Sequence, residues 1–178
     1  MGKTLAVLLA SFFISNPSVS VNSAQTSLRS IVVQGDEYCR NSTGEALALL
    51  KSKAEPYFDM VLENVGMIQC VEHGSGMHAD ANLPIYHAGV ETIKAGEVWY
   101  ASTIVHDACH SRIYNDYLMQ NEEAVPYEVW IGKKAELTCL KEQYKALVEL
   151  EADEWTLNHM QNMMNYAYWD VPYENRNW

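Results

Sequence analysis

The chain has 178 residues, of which 48% are hydrophobic and 20% charged, and a formal net charge of −11. That balance excludes a disordered polyelectrolyte, and the length suffices for one domain with a real core. The acid excess, with no cluster of lysine or arginine, argues against duplex nucleic acid and anionic lipid as partners.

Lys3 precedes the short apolar run TLAVLLASFFIS (4–15), and small residues follow it. This is the pattern of an export signal, with Val21 and Ser23 fitting the −3 and −1 positions. A signal peptide over residues 1–23 is expected, with a cut after Ser20 as the second choice. The run is too short for a transmembrane helix, so no stable membrane insertion is expected after cleavage. The expected location is secreted or periplasmic. Export changes how Cys39, Cys70, Cys109 and Cys139 read: an even count in an oxidising compartment favours two disulfides. Three pairings exist. Cys39 with Cys70 and Cys109 with Cys139 is favoured, because each pair brackets one structural unit. The absence of any C-x-x-C spacing argues against a cysteine-zinc or thioredoxin-like site.

Residues 24–41 are polar and read as an irregular N-terminal arm, leaving residues 42–178 as one domain. Ser42 or Thr43 ahead of Glu45 is a capping signal, and Ala46, Leu47, Leu50, Ala54, Tyr57, Phe58, Val61 and Leu62 follow at helical spacing. Pro56 predicts a break near Glu55. Met67, Ile68, Cys70 and Val71 predict a strand, with a turn at Gly74-Ser75-Gly76. A further strand is expected near Pro84–His87, at a sheet edge because proline cannot donate to a ladder. Residues 97–114 lack Gly and Pro and carry a broad apolar stripe, Val98, Ala101, Ile104, Val105, Ala108 and Ile113, as a buried helix does. A polar connection containing Pro126 and Gly132 leads to Lys133–Trp169, one long helix or two in sequence. The aromatic tail and Met160, Met163 and Met164 read as packing residues. The expected class is α+β, helices flanking a small sheet.

The chemistry concentrates in TIVHDACHSR. His106 and His110 lie one helical turn apart, so both imidazoles face one point. Neutral imidazoles are good zinc ligands, and two of them leave room for a third protein ligand and a water. Glu136, 26 residues after His110, is the favoured third ligand; Glu149 or Asp153 compete. A Cys109–Cys139 disulfide would tether the helix bearing the histidines to the one bearing Glu136. Two histidines one turn apart also arise by chance in a chain with six, so the spacing alone is a weak signal.

WYASTIVHDACH followed by GKKAELTCLKEQYKAL resembles the small secreted zincin-like metallopeptidases of the gluzincin type, in which an apolar helix carries H-E-x-x-H and a second helix supplies a glutamate. The resemblance spans most of residues 45–150. It implies a zincin-like fold, the active-site helix and the following long helix packed beside a small sheet. It implies Zn²⁺ on His106, His110 and Glu136, and hydrolysis of peptide bonds in a peptide or protein substrate through a zinc-bound water. Asp107 then occupies the general-base position, with a side chain one methylene shorter than the family's glutamate. A retreat of roughly 1 Å on that scale costs on the order of 10²-fold in rate. A catalytically weakened or inactive zincin-like domain that binds metal or a protein is therefore the alternative expectation. A disulfide-braced binding domain without metal is the third. The strand near Pro84–His87 is expected to align an extended substrate, with Tyr86 or His87 by the cleft to assist an oxyanion.

Overall fold

The computed structural model describes residues 30–121 and 123–165; the expected signal peptide and the tail from residue 166 lie outside them. Within these residues the fold is α+β, mostly helical, with one four-stranded mixed sheet.

The expected irregular arm is ordered where it is described. Strand β1 covers Val32–Gln34, and helix α1 begins at Glu37 and runs to Lys53. Asp36 caps α1, its carboxylate accepting from the Cys39 N–H at 2.8 Å, so the capping role expected of Ser42 or Thr43 falls six or seven residues earlier. Thr43 is buried inside α1, its hydroxyl 2.8 Å from that of Tyr100. The break at Pro56 is present. The helix stops at Ala54, and α2 (Glu55–Asn64) carries the proline in its first turn, where a missing N–H costs nothing.

Strands β2 (Met67–Val71), β3 (Gly76–His78) and β4 (Ile85–Gly89) complete the sheet in the order β1-β2-β4-β3. β1, β2 and β4 are parallel, and β3 is antiparallel to β4. The segment after Pro84 is thus central, not an edge. Pro84 stands one residue before the strand, and only its carbonyl takes part, accepting from the Gly66 and Met67 N–H groups at 2.9 and 3.0 Å. The edges are β1 and β3. Side chains alternate across the sheet. Ile68, Met77, Tyr86 and Ala88 are buried on the helix-covered face, whereas Gln69, His78 and His87 belong to the opposite face and retain exposure.

After the short helix α3 (Val90–Lys94), α4 (Glu97–Asn121) forms the centre of the molecule. Tyr100, Ala101, Ile104, Val105, Ala108 and Cys109 are fully or almost fully buried on it, against α1, α2 and α6. A helix apolar over so wide an arc can be satisfied only inside. A short helix α5 (Tyr127–Trp130) leads into α6 (Lys133–Glu149) and α7 (Glu154–Asn165). Lys133 onward is therefore two helices. The chain turns at Glu151, whose φ is 58°. The N–H of Glu151 bonds to the Val148 carbonyl and that of Ala152 to the Leu147 carbonyl, the paired bonds of a Schellman ending. Met160 closes a second core with Leu140 and Leu147, beside which Met163 and Met164 pack. All four cysteines are paired as expected, Cys39 with Cys70 and Cys109 with Cys139.

Candidate metal centre

His106 and His110 project from one side of α4, and Glu136 projects from the first turn of α6 to meet them. The two Nε2 atoms are 3.0 Å apart, and each is 3.5 Å from a Glu136 carboxylate oxygen. One ligand atom from each residue lies within 4.8 Å of the others. His110 and Glu136 are about 5% and 6% exposed, so this is an interior cluster with little competing water. A group of two imidazoles and one carboxylate at this separation can hold a metal ion. Three protein ligands leave a coordination position for water or substrate.

The helices that supply the ligands are fixed to one another. The Cys109–Cys139 disulfide joins the residue before His110 to one three positions after Glu136, with Cα atoms 5.4 Å apart. Gln143 of α6 donates to the Ser102 hydroxyl of α4 at 3.1 Å in the buried seam. Glu136 stands where it does because α6 starts at Gly132. A Cβ there would lie 2.3 Å from the Glu128 carbonyl oxygen, so only glycine lets α5 fold back into α6 this closely.

The ring of His110 is oriented from behind. Its Nδ1–H donates to the Trp130 carbonyl oxygen, so Nε2 is the nitrogen directed at His106 and Glu136, protonated when the ring is charged and a lone pair when it is neutral. Metal-ligating histidines are held by such outer hydrogen bonds. His106 is held differently: its Nδ1 is buried without a hydrogen-bond partner, and the helix and its packing set the ring.

The electrostatics follow from proximity in a dry site. Burial opposes charge on Glu136, but hydrogen bonds from and positive charge on His106 and His110 outweigh it and hold the carboxyl far below the usual carboxylate range. Burial likewise opposes charge on His110, yet the hydrogen bond and charge of Glu136, the charge of Asp107 and the Trp130 carbonyl raise its pKa overall. Asp107, 7% exposed, behaves oppositely to Glu136. Burial pushes its carboxyl up to about 6, with His106 and His110 pulling it down and Glu136 pushing it further up.

The competing third ligands lie elsewhere. Glu149 is exposed near the end of α6, and Asp153 is exposed and caps α7, accepting from the Thr156 N–H at 2.9 Å. Tyr86 is not by an open cleft. It is fully buried, and its hydroxyl donates to Thr103 of α4 at 3.1 Å. Burial, then the charge of Asp107, push that phenol well above its ordinary value, so it remains a neutral donor. His87 lies on the other face of the sheet, paired with His78 at 3.0 Å. The Trp130 carbonyl carries no signal in the sequence, because every residue offers a carbonyl. The His78–His87 pair needed the strand register. Comparison of the chain with family models, with curated proteins and with solved structures finds no match.

Proposed function

We propose that the protein is an exported, zinc-dependent peptidase with a zincin-like fold, acting on a peptide or protein substrate. The observation that carries this reading is the convergence of His106, His110 and Glu136 in one buried cluster, with Asp107 beside the first histidine. Two imidazoles and a carboxylate are a donor set used by catalytic zinc, and the H-x-x-x-H spacing with a neighbouring carboxylate favours zinc in the peptidase reading. Zinc held there would polarise a scissile carbonyl and make water acidic enough to ionise near neutral pH.

The remaining work falls to the chain. Asp107 accepts the proton of the attacking water on its carboxylate and returns it to the leaving amine. A carboxyl raised to about 6 is still mostly ionised at neutral pH and is more basic than an ordinary aspartate. Tyr86 anchors β4 to α4 through Thr103, and so keeps the sheet in register with the ligand helix. An extended substrate pairs with a free edge, and beside α4 that edge is β3, not the segment near Pro84–His87. Two disulfides support export, and among the described residues no helix is long and apolar enough to cross a membrane.

A second reading, metal or partner binding without cleavage, is favoured by the short side chain of Asp107. Elemental analysis of the oxidised protein decides the common ground. About one zinc per chain, lost in His106→Ala and Glu136→Ala, is expected. No zinc after incubation with excess metal would sink both readings. A zinc-loaded protein that cleaves no peptide in a diverse library leaves only the second.

A further inference from the structure

The hairpin of β3 and β4 carries a second pair of histidines, outside the buried cluster. His78 Nε2 and His87 Nδ1 are 3.0 Å apart, with ring centroids 4.3 Å apart and planes inclined by 56°. The strand register produces this. Gly76 pairs with His87 and Ile85 with His78, so the two histidines are diagonal neighbours on the same face. That face is opposite the one on which Met77 and Tyr86 are buried against the helices.

We propose that His78 and His87 form a surface site for a divalent transition metal, filled by copper(II) in preference to the other first-row ions. The separation of the two nitrogens equals that between the Nε2 atoms of His106 and His110, 3.0 Å in each case. An ion at about 2.0–2.1 Å from both nitrogens would see them at an angle of roughly 95°. That angle allows both rings to bind one ion as adjacent ligands, and copper(II) stands at the head of the affinity order for nitrogen donors. His78 is exposed and His87 partly exposed, so water completes the coordination.

The protons can be accommodated. In the free protein the short N···N contact requires one ring to donate and the other to accept. On binding, the shared proton moves to the outer nitrogen of its own ring, so that His78 Nε2 and His87 Nδ1 both offer lone pairs. No net proton is lost from two neutral imidazoles.

The test is a copper(II) titration of untagged His106→Ala protein, read by equilibrium dialysis and electron paramagnetic resonance. One copper per chain with nitrogen hyperfine structure is expected. His78→Ala and His87→Ala, each in that background, should weaken binding by on the order of tenfold or more, since losing a ligand costs at least as much as losing a group that orients one. Melting curves without metal check that each variant folds. If His87→Ala fails to fold, the exposed His78→Ala carries the comparison alone. Copper binding unchanged by both substitutions, or copper without nitrogen ligation, would overturn the proposal and leave the pair as a hydrogen bond only.

Discussion

Asp107 and Glu136 are buried carboxylates with opposite proton affinities, and the difference lies in their neighbours. Glu136 faces both imidazoles at 3.5 Å and stays charged, as a ligand must. Asp107 has lost water without gaining as much partner charge, and its value rises to about 6. In the proposed reading, ligand and base are thereby separated in one site. Asp107→Asn should retain zinc and lose at least about 10²-fold in kcat, since removing a general base costs 10² to 10⁴. Asp107→Glu restores the reach of the longer carboxylate and should raise kcat on a peptide substrate with zinc content unchanged. A fall in both variants alike would show that aspartate is the residue the pocket is shaped for. The raised pKa of His110 gives a second expectation. A proton on Nε2 competes directly with a metal, so zinc affinity should fall as pH drops through that raised value and level off above it. Calorimetry in buffers of different ionisation enthalpy should record proton release on binding near neutral pH. Binding without release would contradict the charge assignment.

At the scale of elements, the site depends on how α6 begins. Gly132→Ala drives a methyl into the Glu128 carbonyl oxygen and must move the start of α6, and Glu136 with it. A shift of about 1 Å in one ligand is expected to lower zinc affinity and melting temperature together. Both are read by chelator competition and a thermal melt. Helical period made the histidine pair legible, since His106 and His110 share a face wherever that segment is helical, whereas Glu136 was favoured over Glu149 or Asp153 by its place beside Cys139, and it is the fold that brings it to the pair. The disulfides could be read for a related reason, each bracketing one unit. Three features were less accessible. The strand after Pro84 is central because the chain runs from β2 to the edge strand β3 and returns to place β4 between them, an ordering that local composition does not encode. The end of α6 is a left-handed turn occupied by Glu151, where a glycine would ordinarily announce it. The start of α1 at Asp36 lay in a segment too polar to show a period, and its hold comes from β1 and the Cys39–Cys70 bridge.

For the whole molecule, the two disulfides divide the labour of stability and function. One joins α1 to β2 across 31 residues, the other α4 to α6 across 30. Loops of this length are worth about 3–4 kcal/mol each in the chain-entropy account. The paired substitution of Cys39 and Cys70 by alanine should lower the melting temperature while leaving zinc affinity near that of the parent. The same change at Cys109 and Cys139 should lower both, because it frees the helix pair that holds the ligands. Equal losses of zinc affinity in the two variants would show that the second bridge has no special hold on the site. The acceptor behind His110 has a different vulnerability. It is the main-chain oxygen of residue 130, which every amino acid supplies. Substitution of the indole cannot delete it; only a change in the path of the chain can. Descendants of this sequence are therefore free to exchange Trp130 as far as this bond is concerned, provided the turn leading into Gly132 is inherited. In a set of such descendants the tie behind the ligand would leave no trace at its own position, and would appear instead as a glycine two residues later.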